Sequence, residues 1–226
     1  MQEASSARVV RVVSDDTDVF VLLVYWVWKA DLVSTCKVQM ERWDGRILDI
    51  NKTCVNLGAN CSQLLGIYAV SGCDIVSYPF RKGKICALNV IMAGNFPGLS
   101  EVLGEEHTTD DDLLKLGQPY FAALYGQKPS TSMNDTHYDL FTKKKGKLMC
   151  IMTLPPTDIN LLYHMQRAHL AMILWKAAKL KKSPHIDITK DGWILKNVIP
   201  IPTYSVSTPA SPELLNLFLQ SRGKSL

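Results

Sequence analysis

The sequence predicts an α/β protein with a partly parallel sheet, and three patterns support this fold class. Residues 8–13 carry four valines and end in serine and aspartate, as buried strands do. Val19–Lys29 is apolar at helix length, although its β-branched content leaves a strand open as the alternative. Val38–Trp43 and Arg46–Ile50 are strand-like and flank an Asp-Gly turn. A strand, a helix and further strands in this order are typical of α/β folds.

Helical patterns dominate the rest of the chain. Asp15 or Asp16 is predicted to cap the first helix, and Pro119 is predicted to kink or split a later one. Residues 126–147 are polar and are predicted to form a loop. The predicted helices after the first are Lys52–Leu57 (with Asn51 at its start), Ser62–Val70, Ile85–Ala93, Pro97–Leu103, Asp110–Tyr125, Asp158–Lys179 and a terminal one at Pro212–Gln220; a small strand is predicted at Trp193–Val198.

These patterns divide the chain into three predicted parts. An α/β core occupies residues 8–104, a helical extension with a lysine-rich loop occupies 105–182, and an irregular proline-rich tail occupies 183–226. In the extension, His164 and His169 lie five residues apart, so they do not share a helical face. We therefore predict that one of them lies in the core and the other is exposed.

Composition narrows the class of protein. The 226 residues are 47% hydrophobic and 20% charged, which excludes compositional disorder, and the net charge of +4 is compatible with nucleic acid. The longest apolar run, ten residues at Val19–Trp28, is short of a membrane span, and Met1–Ala7 lacks a secretory pattern. Six cysteines without a C-x-x-C pair indicate reduced thiols in or near the core. We expect an intracellular protein without a membrane partner.

The first strand ends in a cluster of carboxylates. Asp15, Asp16 and Asp18 follow Val13 closely, and the carboxyl end of a parallel strand is where α/β proteins bind ligands. Asp16 and Asp18 lie two residues apart, which lets both carboxylates face one point, and oxygen ligands of this kind suit Mg²⁺ or Mn²⁺. The alternative is a helix cap and a solvated acidic turn.

A second acid and a basic turn follow. Asp74 comes after an apolar helix and Gly72, and in isolation it is an ordinary helix cap. Arg81, Lys82 and Lys84 surround Gly83 at the start of the next predicted helix. Such a turn can offer N–H groups and positive charge to a phosphate. A solvated basic turn is the alternative.

Taken together, these segments resemble the second half of a PIN-like, flap-endonuclease-type nuclease core. The resemblance covers residues 8–104, and its motifs are Ser14–Asp18, Asp49–Gly58, Leu64–Asp74 and Phe80–Lys84. The whole chain is also similar to transposon-associated animal proteins that carry SDDTDVFVLL, an SGCD block and an LPPT block.

The resemblance implies a three-layer core and a site. Asp16, Asp18 and Asp74 would be catalytic metal ligands for Mg²⁺ or Mn²⁺, and Arg81, Lys82, Gly83 and Lys84 would contact nucleic-acid phosphates, with DNA favoured over RNA. Such nucleases carry further acids upstream, whereas seven residues precede Arg8, so we expect an N-terminally truncated core. Three functions stay open: a metal-dependent nuclease, a non-catalytic module that binds nucleic acid or protein, and a fragment without activity.

Overall fold

The structure, a computed structural model, describes residues 9–93, 96, 98–129, 132–143, 151–182 and 184–205. It is a mixed α/β protein with a small, partly parallel sheet and several helices. The strands are β1 Val9–Val13, β2 Lys37–Glu41, β3 Ile47–Asp49, β4 Trp193–Lys196 and β5 Ile199–Pro202. The helices are α1 Thr17–Lys29, α2 Ile50–Leu57, α3 Cys61–Val70, α4 Lys84–Ala93, α5 Leu99–Val102, α6 Asp110–Leu124, α7 Met133–Lys143 and α8 Asp158–Lys176.

The main sheet has three strands in the order β1-β2-β3. β1 and β2 are parallel, with Val9 opposite Lys37 and Val13 opposite Glu41, whereas β2 and β3 are antiparallel around the Asp44–Gly45 turn. Parallel strands need a crossover, and α1 supplies it. The crossover leaves the acid-rich turn at the carboxyl end of β1, which is the position that the sequence predicts.

The helices pack around two hydrophobic cores, of which the smaller includes the sheet. The smaller core packs α1 and α2 against the sheet through buried side chains such as Val24, Val38 and Ile50. The larger core joins α1, α3 and α4 with α6 and α8, and it includes Leu65, Phe121 and Met165. The larger core therefore contains residues from both the predicted 8–104 core and the predicted 105–182 extension.

The end of the described chain is attached to α8 by a buried arginine. Arg167 is 4% exposed, and its Nη1 donates to the carbonyl oxygens of Gly192 (3.2 Å) and Thr203 (3.3 Å). These carbonyls flank the β4-β5 hairpin, which turns through Asn197 and Val198 at positive φ. Sequence reasoning predicts a single strand at Trp193–Val198, whereas the structure has two.

Several local predictions are confirmed and others are wrong. The first strand and α1 as a helix with Asp16 as its N-cap are confirmed. The five described cysteines lie in or against the core, as predicted, and Cys150 lies outside the described residues. Part of the predicted 126–147 loop is wrong, because Met133–Lys143 forms α7, and α6 continues through Pro119 without splitting. His164 and His169 are both buried, so the predicted exposed histidine is wrong. Lys144, Lys145, Lys147 and the predicted 212–220 helix lie outside the described residues.

Asn51 links the start of β2 to the loop before it, instead of beginning α2. Its Oδ1 accepts from the N–H of Val38 at 2.7 Å, and its Nδ2 donates to the carbonyls of Val33 and Cys36, both at 2.8 Å. Asp49 caps α2 in its place, accepting from the N–H of Lys52.

We expect Asn51→Ala to lower the free energy of unfolding by about 2–3 kcal/mol, because it removes three hydrogen bonds to the backbone. Urea denaturation measures the change. Asn56→Ala, at an exposed position of the same helix, is the matched control and should cost less than about 1 kcal/mol. Equal losses in the two variants would contradict the role of Asn51.

Candidate metal and phosphate site

The carboxylates of the first acidic turn have separate roles. Asp16 Oδ1 accepts from the N–H of Asp18 at 2.8 Å and so caps α1. Asp15 Oδ1 accepts from Nε of Arg42 at 2.8 Å and from the N–H of Trp43 at 3.3 Å. Asp15 therefore joins the turn to the end of β2, and Asp16 begins the helix. Asp18 lies in the first turn of α1 and has neither of these two roles.

The charges of Asp18 and Asp74 both influence the pKa values of Tyr78 and Lys84. Tyr78 is 62% exposed; partial desolvation raises its pKa, and the charges of Cys73, Asp74 and Asp18 raise it further. Burial lowers the pKa of Lys84, and the same two carboxylates oppose that shift. Asp18 of α1 and Asp74 of the loop after α3 therefore share two electrostatic neighbours, Tyr78 and Lys84.

Tyr68 also borders this cluster. It comes from α3 and is buried at 7% exposure. Burial raises the pKa of its hydroxyl; hydrogen bonding with Thr17 lowers it, and hydrogen bonding with Asp18 raises it. The first turn of α1 and the last turn of α3 therefore meet at a tyrosine whose hydroxyl stays protonated and available as a donor to Asp18.

Lys84 points into the protein. Its Nζ donates to the carbonyl oxygens of Gly72 and Tyr68 and to Oγ of Ser71, and it lies 3.3 Å from the centre of the Tyr68 ring. The carbonyls belong to the end of α3, where the helix dipole favours a cation. Lys84 thus closes the end of α3 and places a positive charge near Asp18 and Asp74.

The loop that carries Asp74 is tightly built. Cys73 and Val76 exchange backbone hydrogen bonds of 3.1 and 3.0 Å, which leaves Asp74 exposed at the tip of the turn. Gly72 has a φ of +105°, and a Cβ at this position would lie 2.5 Å from the Tyr78 ring. Only glycine fits such a contact without movement of the ring.

His164 of α8 holds both ends of this loop. Its Nε2 lies 2.9 Å from the carbonyl oxygen of Val70, and its Nδ1 lies 2.9 Å from Oγ of Ser77. Since the carbonyl can only accept, Nε2 carries the proton and Nδ1 accepts from the Ser77 hydroxyl. Sequence reasoning missed this role, because the partners lie 94 and 87 residues away.

The remaining predicted cations lie on the turn before α4. The Arg81 guanidinium lies 5.2 Å from the Phe80 ring centre, and Lys82 Nζ lies 5.2 Å from that of Tyr125. Arg81 and Gly83 are exposed, and a Cβ added to Gly83 would meet no atom within 4 Å. The surface above Gly83 is therefore open to a ligand.

The residues present suit a weakly held magnesium-type ion better than a closed cage. Among the described residues, no group of three or more His, Cys, Asp or Glu side chains is placed to hold a metal ion. Mg²⁺ is commonly bound by one or two carboxylates together with waters and substrate phosphates. Asp18 and Asp74 supply two such carboxylates.

No protein-family model, curated protein or solved structure significantly matches this chain. Within the described ranges, no helix is both long and apolar enough to cross a membrane.

Proposed function

We propose that this chain is a nuclease-like domain that binds Mg²⁺ or Mn²⁺ and backbone phosphates of nucleic acid at the carboxyl end of β1. The observation that carries the proposal is that the charges of both Asp18 and Asp74 act on Lys84 and on Tyr78. Two carboxylates near one ammonium leave a net negative charge, and a divalent cation would neutralise it. The resemblance to PIN-like nucleases supports the same pairing.

Each residue has a defined part in this proposal. Asp18 and Asp74 would hold the ion, while Asp16 caps α1 and so fixes the helix turn that carries Asp18. Arg81 and Lys82 contact phosphates from the exposed turn. The bound ion would polarise a phosphoryl oxygen and lower the pKa of a bound water. The ammonium group of Lys84 partly neutralises the two carboxylates, and its hydrogen bonds hold the end of α3 in place.

A non-catalytic module that binds nucleic acid is the second candidate. Two observations favour it. The Nζ of Lys84 donates its hydrogen bonds to protein oxygens, and the described residues hold no group of three or more side chains placed to bind a metal ion. Two-metal cleavage clamps both the attacking and the leaving oxygen, which requires two ions. One weakly held ion can still attach a phosphate.

We expect Asp18→Asn and Asp74→Asn each to weaken Mn²⁺ binding by about tenfold or more, because each removes a negative charge next to the ion. Titration calorimetry and Mn²⁺ electron paramagnetic resonance measure the affinity. Asp139→Asn, at an exposed position of α7, is the matched control and should leave it unchanged.

Cleavage of fluorescein-labelled single-stranded and duplex DNA, with and without Mn²⁺, separates the two candidates. Cleavage that Asp18→Asn abolishes supports the nuclease. Mn²⁺-dependent DNA binding without cleavage supports the binding module. If the wild-type chain binds neither Mn²⁺ nor DNA, or if the Asp18 and Asp74 variants behave as wild type, the proposed site is wrong.

A further inference from the structure

A large groove lies along α1, and none of the predicted site residues lines it. Its walls come from α1, from α5 and from the segment that follows α8, and its volume is about 1420 Å³. Small-molecule sites usually measure about 300–1,000 Å³, so this groove exceeds what a compact ligand would fill. Its size fits a segment of a macromolecule.

The floor of the groove is apolar and includes two aromatic side chains. Leu22, Leu23 and Leu32 line it together with Tyr25 and Trp26. Within the described part of the chain, the buried Nε1 of Trp26 donates to no acceptor. A buried indole N–H normally finds a partner, and tryptophan is the residue most enriched among the energetic centres of interfaces. The floor therefore offers apolar contact area and the unused donor of the Trp26 indole.

The rim of the groove is basic. Lys29, Lys179 and Lys181 line it, and all three are exposed. Lys176 also lines the groove, but it forms an ion pair with Glu105 and donates to the Leu103 carbonyl. Glu101 is the remaining carboxylate among the lining residues, so the groove carries net positive charge beyond the internal pair.

We propose that this groove binds an acidic amphipathic helix of a partner protein. The apolar face of such a helix, with anchors at i, i+3, i+4 and i+7, would lie on the leucine and tryptophan floor. Its carboxylates would face Lys29, Lys179 and Lys181 at the rim. The charge of the rim selects an acidic segment over a basic one.

Nucleic acid fits this groove less well than a helix does. Proteins bind single strands with aromatic platforms on which successive bases stack. Here the floor is mainly aliphatic, and Nζ of Lys179 already lies 5.0 Å from the Trp26 ring centre. The groove and the candidate phosphate site therefore serve different partners, and the groove does not depend on the proposed metal chemistry.

The test uses the full chain and fluorescence anisotropy with a labelled peptide. The probe has leucines at helical spacing and glutamates on its other face. One control peptide has the same composition with the leucines scattered around the helix, and another has lysine in place of glutamate. We expect the first peptide alone to bind, with an affinity that falls as salt rises. Equal binding of the scattered peptide would overturn the proposal.

Variants locate the binding on the groove. The double variant Lys179→Glu and Lys181→Glu should weaken binding by about tenfold or more, because two attractive charges become repulsive. Leu180→Glu, at a groove residue that is 54% exposed, should also weaken it, whereas Leu195→Glu, 53% exposed on β4, should not. Unchanged binding in the groove variants, or displacement of the peptide by oligothymidylate, would overturn the proposal.

Discussion

Gly104→Ala is expected to lower the free energy of unfolding by about 3 kcal/mol or more. Gly104 has a φ of +80°, and an alanine there would suffer backbone strain of about 1 kcal/mol. Its Cβ would also lie 2.9 Å from the backbone carbon and from Cβ of Met172. Because these atoms belong to α8, they cannot move aside as the end of a side chain can, and such overpacking costs about 1–3 kcal/mol.

The same substitution disturbs a second contact. The N–H of Gly104 donates to Nδ1 of His169 at 3.0 Å, which joins the loop after α5 to a buried histidine of α8. A shift of this loop away from α8 would leave the imidazole nitrogen without its donor, and an unpaired buried group costs about 1–3 kcal/mol. The steric contact and the lost hydrogen bond both lower the free energy of unfolding.

Gly45→Ala is the matched control, because Gly45 has the same φ of +80° and no atom within 4 Å of the added Cβ. It carries the backbone strain without the steric contact. Urea denaturation of the two variants separates the backbone strain from the steric contact. We expect the loss of stability in Gly104→Ala to exceed that in Gly45→Ala by about 2 kcal/mol. Equal losses would mean that the close approach of Gly104 to α8 has no energetic role.

Local chemistry explains which parts of the fold the sequence predicts. The valine run of β1, the Asp16 cap and the Asp44–Gly45 turn depend on neighbours within a few positions, so pattern reasoning finds them. The helix α7 was missed because its residues are mostly polar and no apolar stripe indicates it. Its stability depends on contacts such as the Met133 N–H with Asp158, which lie 25 residues apart.

The candidate site also combines features that local sequence predicts with features that depend on distant contacts. The positions of Asp18 and Asp74 at strand and helix ends follow from local patterns. The direction of the Lys84 side chain does not follow from local patterns. A lysine beside a glycine is usually a surface cation, and only the folded chain brings the end of α3 next to Lys84. The basic turn therefore divides into the exposed Arg81 and Gly83, a half-buried Lys82 and an inward Lys84, a distinction that depends on tertiary structure alone.

Acid is expected to destabilise the protein through its buried histidines. Burial lowers the pKa of His164 from 6.5 to about 4, because the fully enclosed ring is costly to charge. Burial also lowers the pKa of His169, whose Nδ1 accepts from Gly104 and cannot do so once it is protonated. The unfolded chain therefore binds protons that the folded chain excludes.

For His164 the direction and size of this effect follow from linkage. The contribution to stability is fully present above pH 6.5 and is lost as the pH falls from 6.5 to 4, by about 3 kcal/mol in total. Below pH 4 both states are protonated and the loss from this group levels off. We therefore expect the urea midpoint to fall across this window.

His164→Leu tests this assignment, because it removes the titration along with the ring. At pH 7 the variant should be less stable than wild type by about 2–4 kcal/mol, since the Val70 carbonyl loses its donor and the ring leaves a cavity. Between pH 6.5 and 4 this difference should shrink by about 3 kcal/mol, because only the wild type must charge a buried imidazole. His107→Leu, at an exposed histidine, is the control and should keep the wild-type profile. If the difference between His164→Leu and wild type is the same at pH 7 and pH 4, His164 does not carry the acid sensitivity.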